Sequence, residues 1–290
     1  MQPTDDFIPE SKRGHKILSR ERARFDERVR NGQMEDKLIL ALAPDFVIQL
    51  VRVPAGEFVM GSKVGDPLAY DDEMPQHKVY LLDYFIAKTP VTIAQFNVFA
   101  RATNFKMPIP VSEVEPKADH PITQISWHDA CAFCNWLSKL KGMWIRLPSE
   151  AEWEKAARGP STSAGEGRAY PWGNALPQPH HANIEARINT TTVVGAFSPH
   201  GDSPYGCVDM IGNVWEWTRS LFKLYPYKPD DGREESGDLG MRVVRGGSFF
   251  SKPNRARCAS RLRQPPNNRF EKDIGFRICA LIAPPNLNAL

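Results

Sequence analysis

The stretch from Gly206 to Thr218 constrains the fold of this chain more than any other. Its thirteen residues include two glycines, two tryptophans, an asparagine and two acids. This mixture fits neither the spacing of an amphipathic helix nor the alternation of a half-buried strand. Glycine permits positive-φ backbone, and buried tryptophan rings need partners for their indole N–H groups. We therefore predict a tight, buried turn here.

Two acids of this turn, Asp209 and Glu216, need compensation once they are buried. An unpaired buried carboxylate is costly, so each should meet backbone donors, a cation or a metal ion. A hard cation such as Ca²⁺ accepts carboxylates together with turn carbonyls. Hydrogen bonds from backbone N–H groups, or pairing with arginine, are the alternative. The spacing favours this alternative, because it is not that of an EF-hand.

The end of this stretch, Gly212 to Thr218, resembles the G-N-V-W-E-W-T signature of the formylglycine-generating enzyme family, the sulfatase-modifying factor domain. Other motifs in the same order carry the resemblance over roughly residues 45 to 282: Arg52–Gly61, Thr89–Thr92, Arg146–Glu154, Tyr170–Asn174, Val244–Ser248 and Gly275–Arg277. The resemblance implies an α+β, loop-rich C-type lectin-like fold of the formylglycine-generating enzyme type.

Composition sets few further limits on function. The chain has 290 residues, 41% of them hydrophobic and 24% charged, as in an ordinary soluble globular domain. A formal net charge of +3 makes nucleic acid an unlikely partner. No apolar run is long enough to span a membrane, and the start lacks the features of a secretory signal. We therefore expect a cytoplasmic protein that has no membrane partner.

A charged segment precedes the domain. We expect residues 1–40 to form a partly helical N-terminal extension and residues 41–290 to form the formylglycine-generating-enzyme-like domain. Between Ser11 and Arg30 the chain holds eight lysines and arginines but few large apolar residues. This composition favours a solvated helix that docks loosely, and a basic arm for a partner is the alternative.

Strand patterns begin after this extension. Val47–Val53 is apolar and extended, and Phe58–Met60 follows as its predicted hairpin partner after a Pro-Ala-Gly turn. His77–Ile86 alternates well enough to predict another strand. From Gly159 to about Pro229, turn residues dominate. Such a long irregular segment must be held by side-chain hydrogen bonds, buried aromatic rings or ions.

Helix signals are local and well marked. Capping boxes predict helices that begin after Thr92, Ser126 and Ser149. Gly142 and Gly159 end the second and third of these helices. The first is predicted to reach about Thr103, and the second to bury one face: Ala130, Phe133, Cys134, Leu137 and Leu140.

Two calcium sites are implied by the resemblance. One corresponds to Asp209, Gly212, Val214 and Glu216, with the glycine and valine acting through main-chain carbonyls. The other begins at Asn183 and Ile184, but the loop that supplies its remaining ligands is shortened here to residues 185–189. We expect structural calcium at the first of these sites, while the match at the second is incomplete.

The resemblance also shows which cysteines of this chain match cysteines of related proteins. In members that carry a disulfide, the positions matching Cys134 and Cys279 are paired. Five cysteines are too few for a disulfide framework, and in a reducing compartment we expect free thiols. Cys131 and Cys134 form a C-x-x-C pair, but no second pair stands at the spacing of a zinc site.

The residues after the R-G-G-S motif decide the expected chemistry. Active formylglycine-generating enzymes carry two cysteines there, whose thiolates bind the copper that activates oxygen. In this chain Ser251 and Pro253 stand at or beside those positions. Serine is a far poorer Cu(I) ligand than thiolate, and proline offers none. We therefore expect no copper and no formylglycine synthesis.

The leading hypothesis is a non-catalytic ligand-binding protein. In the variable proteins of diversity-generating retroelements, which are relatives of this fold, the loop between R-G-G-S and G-F-R tolerates massive substitution. The matching residues here suit contacts with a protein or other macromolecular ligand: Phe249, Phe250, Asn254, Arg261, Arg263, Gln264, Asn267, Asn268, Arg269 and Phe270.

Other interpretations stay open. Many of these arginines are equally suited to holding loops by bonding carbonyls or acids. The chain as a whole is alternatively a metal-dependent oxidase with non-standard ligands, or a regulatory or adaptor subunit. The histidines at 120, 128 and 200 are scattered, and their spacing does not favour the iron site of the sulfoxide synthases, a second enzymatic branch.

Overall fold

Eleven strands and four α-helices form the part of the chain that the computed structural model describes, residues 36–161, 167–235, 237 and 240–281. The helix expected between Ser11 and Arg30 lies outside these residues. Among the described helices, none combines the length and the apolar character needed to cross a membrane.

A five-stranded antiparallel sheet joins the start and the end of the domain, in the order β1-β2-β5-β11-β6. The first strand begins at Lys37, before the predicted domain start at residue 41. Its members are β1 (Lys37–Ala43), β2 (Phe46–Val53), β5 (Tyr84–Ala87), β6 (Ile145–Arg146) and β11 (Cys279–Leu281).

A four-stranded sheet contains parts of three of the seven family motifs, and its strand order is β10-β7-β8-β9. The strands are β7 (Trp215–Leu221), β8 (Arg242–Arg245), β9 (Arg261–Gln264) and β10 (Ile274–Phe276), with β10 parallel to β7. The prediction of a turn is therefore wrong for the last four residues of the stretch, because Trp215–Thr218 begins β7. These four residues are all buried, so they show none of the alternation that marks a half-exposed strand.

The predicted partner of β2 is also wrong. Phe58–Met60 belongs to β3 (Gly56–Met60), which pairs with β4 (His77–Leu81) in a separate two-stranded sheet. Both edges of β2 are taken by β1 and β5. The single strand predicted over His77–Ile86 is likewise divided, because Asp83 turns the chain by accepting from Ala55 N–H and pairing with Arg52.

Helix predictions are confirmed at their starts. The three capping boxes close at Thr92, Ser126 and Ser149 as expected. Each cap satisfies N–H groups that the first helical turn leaves unpaired. Leu140 is 36% exposed, so the buried face of the second predicted helix ends at Leu137. The four helices are α1 (Ile93–Thr103), α2 (Val111–Val114), α3 (Trp127–Lys141) and α4 (Glu150–Arg158).

A buried charge network fixes α4 against β8 and β9. Glu150 pairs with Arg245 and Arg261, and Glu154 pairs with Arg245 and Arg158. The side chains of all five residues are no more than 4% exposed. Charges this deep are tolerated only when they are paired and hydrogen-bonded. The network therefore holds the two strands from which the 246–260 segment extends.

Candidate functional site

Glu216 of the central motif is bonded to an arginine. Its Oε2 accepts from Arg277 Nε at 2.6 Å and from Trp153 Nε1 at 2.7 Å, and its Oε1 accepts from Arg277 Nη2 at 2.7 Å. Glu216 and Arg277 are both fully buried. A guanidinium this close opposes a second cation at the same carboxylate. Glu216 and Arg277 thus form the arginine pairing that was the alternative to a metal ion in the sequence analysis. Calcium at this carboxylate stays a prediction, and the geometry does not favour it.

Asp209, the other acid of this motif, is held by the backbone. Its Oδ2 accepts from Gly195 N–H at 2.9 Å, and its own φ of 53° lies in the left-handed region. Burial raises the pKa of this carboxyl to about 6, against the partial lowering by the Gly195 hydrogen bond. The folded protein therefore holds this charge at a cost in stability at neutral pH.

Asp209→Asn is expected to raise the free energy of unfolding at pH 8 by about 2–3 kcal/mol, since the folded pKa lies about two units above the ordinary value. Because the pKa of Asp209 is higher in the folded state, its charge destabilises the folded protein at high pH. This cost is fully present above the pKa of the folded state and vanishes as the pH falls below the pKa of the unfolded state. Urea unfolding at pH 8 and at pH 4 measures the difference, which should shrink toward zero at pH 4. A lower stability of Asp209→Asn than of the wild type at pH 8, together with stabilisation of the wild type by added calcium, would contradict this expectation and support a metal ligand.

The incomplete second calcium site retains one unsatisfied acceptor. Asn183 Nδ2 donates to Thr190 O at 2.8 Å, while its buried Oδ1 has no hydrogen-bond partner among the described residues. The Ile184 carbonyl accepts from Arg187 N–H. Calcium needs six to eight oxygen ligands. A single free amide oxygen does not supply that set, so calcium here also stays a prediction.

The copper positions of active relatives are filled by an ordinary turn. Ser251 Oγ accepts from Ser248 N–H at 2.9 Å, and Ser251 N–H donates to Ser248 O at 2.9 Å. The Pro253 carbonyl accepts from Ala256 N–H and from the Tyr170 hydroxyl. The hydroxyl at Ser251 therefore stabilises the loop, and neither position offers a thiolate.

All five cysteines are free thiols, as expected. Burial raises the pKa of Cys131 and Cys258 to about 12 and that of Cys207 to about 11. Burial also raises the pKa of Cys134 and Cys279 well above the ordinary value of a thiol. A thiol must lose its proton to act as nucleophile or metal ligand. These cysteines are therefore protonated core residues at neutral pH.

Two of the ten predicted ligand-binding residues lie in the interior. Phe249 is 4% exposed, and Arg261 is fully buried. Arg261 Nη2 donates to Glu150 at 2.8 Å, and its Nη1 donates to the carbonyls of Asp72 and Lys223. For Arg261 the structure shows the loop-holding role that the sequence left as an alternative.

Four polar residues of the predicted set are bonded to other side chains. Asn254 Nδ2 donates to the Tyr70 hydroxyl at 2.8 Å, and Asn268 Nδ2 donates to Gln264 Oε1 at 3.0 Å. Arg269 reaches Asp129 in the first turn of α3 at 2.6 Å. The exposed members that remain available to a ligand are Phe250, Arg263, Asn267 and Phe270.

The sequence did not reveal the cleft beside β9. This cleft of about 400 Å³ brings Asp71 and Asp72 together with residues of the C-terminal loop and of the segment after β7. Nothing in the local sequence of these two acids points to β9, although Arg261 of that strand lies 189 positions from Asp72. The other residues that line the cleft are Phe222, Leu224, Arg255, Leu262 and Arg263.

Comparison with known proteins places the chain. Residues 43–282 match the model of the sulfatase-modifying factor enzyme 1-like domain. The chain belongs to this family. A formylglycine-generating enzyme of Streptomyces coelicolor is 31% identical over 79% of this chain and 88% of its own length. An inactive C-alpha-formylglycine-generating enzyme 2 of Bos taurus is 29% identical over 83% of this chain and 90% of its own length.

Solved structures agree on the fold of this family. A variable protein of Treponema denticola superposes with a TM-score of 0.67 at 21% identity, and the match covers 85% of this chain and 99% of that one. At this identity the likeness concerns the fold alone. The α+β, loop-rich C-type lectin-like fold predicted from the motifs is thereby confirmed.

Proposed function

We propose that this family member is a non-catalytic ligand-binding protein. The observation that carries the proposal is the turn at Ser251 and Pro253, where a hydrogen-bonded hydroxyl and an imino ring stand in place of two thiolates. Cu(I) requires soft ligands, and neither group is one. The ligand is a macromolecule that contacts the exposed residues of segment 249–273.

The buried thiols give independent support. Burial raises the pKa of all five thiols, which disfavours the thiolate form that binds a metal. Within the described residues, no three His, Cys, Asp or Glu side chains are grouped closely enough to hold a metal ion. The inactive relative in Bos taurus is named as a member without this activity.

Metal binding tests the proposal. Wild-type protein loaded with Cu(I) and then dialysed against a thiol-free competitor is expected to keep no stoichiometric copper. The matched variant Ser251→Cys/Pro253→Cys supplies two thiols at the family positions and is expected to retain more copper than the wild type. Stoichiometric copper or iron in the wild type, together with oxygen consumption, would overturn the proposal in favour of an oxidase.

A further inference from the structure

We propose that His77 is a pH-sensitive latch, which holds residues 225–227 beside β4 when its ring is neutral and releases them when the ring is protonated. This inference is independent of the proposed ligand-binding function. His77 is the first residue of β4, and Tyr227 belongs to the irregular segment between β7 and β8, 150 positions away. The imidazole joins these two parts of the chain.

Two hydrogen bonds determine which nitrogen of His77 carries the proton. Nδ1 lies 2.8 Å from the Pro75 carbonyl oxygen, and Nε2 lies 2.8 Å from the backbone nitrogen of Tyr227. Because a carbonyl can only accept, Nδ1 must donate, and because a backbone N–H can only donate, Nε2 must accept. The neutral ring with its proton on Nδ1 is therefore the form that satisfies both partners.

A second proton on the ring is incompatible with this arrangement. The imidazolium carries an N–H group on both nitrogens and has no acceptor. Its Nε2–H group would face the N–H group of Tyr227, so the hydrogen bond between the two segments is lost while the bond from Nδ1 to Pro75 is retained. Histidine changes charge between about pH 5 and pH 8. The ring of His77 is only half-buried, so protons reach it from solvent.

The latch lies beside a small part of the hydrophobic core. Tyr225 and Tyr227 are both buried, and they complete a cluster with apolar residues of β3, β4 and α4. The rings of His77 and Tyr225 meet edge to face, with 5.0 Å between their centroids. The hydrogen bond from Tyr227 therefore holds two core tyrosines against β4, and its loss loosens the segment that contains them.

The side chains around the His77 ring supply no opposite charge. Tyr225 is the titratable group in contact with the ring, and burial raises its pKa well above the ordinary value, so its hydroxyl stays neutral. In the same two-stranded sheet, Lys78 pairs with Glu57. Within the described part of the chain, no carboxylate lies within ion-pair distance of His77. Protonation therefore creates a charge that has no carboxylate partner.

Two carboxylates lie behind the tyrosines. The Tyr225 hydroxyl donates to Glu150 at 3.1 Å, and the Tyr227 hydroxyl donates to Glu234 at 2.8 Å. Glu150 is paired with two arginines. Burial raises the pKa of Glu234, so protonation of this group in acid favours the folded state. Its effect is opposite in sign to that of His77, and variants of His77 separate the two.

Nuclear magnetic resonance of the ¹⁵N-labelled full-length protein tests the inference. At about pH 7.5, the ring of His77 is expected to carry its proton on Nδ1, and the Tyr227 amide is expected to exchange slowly with solvent. At about pH 5, the protection of this amide should fall by about fivefold or more, because one hydrogen bond contributes about that factor to an opening equilibrium. The comparison is made after correction for the intrinsic pH dependence of amide exchange.

Two substitutions separate the hydrogen bond from the packing of the ring. His77→Gln supplies an amide oxygen that accepts from Tyr227 and does not titrate, so protection is expected to be retained at both pH values. His77→Phe keeps an aromatic ring against Tyr225 but removes the acceptor, so protection is expected to be low at both. The control His200→Gln removes an exposed imidazole elsewhere and should behave as the wild type. Thermal unfolding shows whether each variant is folded.

Three results would overturn the inference. One is a His77 ring that carries its proton on Nε2 at neutral pH. Another is a Tyr227 amide whose corrected protection in the wild type is the same at both pH values. The third is an equal loss of protection in His77→Gln on acidification, which would assign the pH dependence to another group. If His77→Phe does not fold, the comparison of His77→Gln with the wild type decides alone.

Discussion

Arg277→Ala is expected to lower the free energy of unfolding by about 3–5 kcal/mol, or to prevent folding, because it leaves a buried carboxylate without its cation. The guanidinium contacts both oxygens of Glu216 and donates to the carbonyls of Ala87, Lys88 and Val208. After the substitution, only the Trp153 indole still donates to Glu216. Guanidinium chloride unfolding at pH 7, followed by tryptophan fluorescence, measures the loss.

Two controls sharpen this experiment. Lys78→Ala removes a cation from an exposed pair with Glu57 and should change stability by less than about 0.5 kcal/mol. Glu216→Gln/Arg277→Met removes both charges and should recover part of the loss. A loss below about 1 kcal/mol in Arg277→Ala, or a loss that added calcium reverses, would contradict the arginine pairing.

Arg261→Ala and Arg263→Ala are expected to have opposite consequences although they lie two residues apart on β9. The first should cost about 3–5 kcal/mol, because Arg261 is fully buried and compensates Glu150. The second should change stability by less than about 0.5 kcal/mol, because Arg263 is exposed. The same unfolding assay measures both.

Equal losses of stability for the two variants would contradict this division of roles. A folded Arg261→Ala protein with wild-type stability would mean that the network around Glu150 does not hold the cleft. If Arg263 contacts the macromolecular ligand at the surface, Arg263→Ala is expected to weaken binding of that ligand without a loss of stability.

Local signals in the sequence were sufficient for three of the four described helices, and the short helix Val111–Val114 was not predicted. A capping box involves residues three positions apart, so Thr92, Ser126 and Ser149 could be identified without knowing the rest of the fold. Strand pairing is different, because an apolar run says nothing about which strand lies beside it. Phe58–Met60 is extended as predicted, yet its partner is β4 instead of the preceding strand.

The candidate site shows the same division. The ordered motifs were enough to predict the fold and the missing copper thiols. They could not show that Glu216 pairs with Arg277, 61 positions away. Nor could they show that Arg261 is buried and Arg263 is exposed. The burial of each residue in a short edge strand depends on the strands and helices that pack on it. The local sequence likewise gives no sign that Asp71 and Asp72 line a cleft with residues of β9.

The most direct test is oxidation of a cysteine-bearing sulfatase peptide. Purified protein supplied with Cu(I) and oxygen is incubated with the peptide, and mass spectrometry follows conversion of the thiol to the aldehyde. With a hydroxyl and an imino ring at Ser251 and Pro253, aldehyde is expected to form no faster than in the protein-free control. Repeated turnover by the wild-type chain would contradict the non-catalytic function.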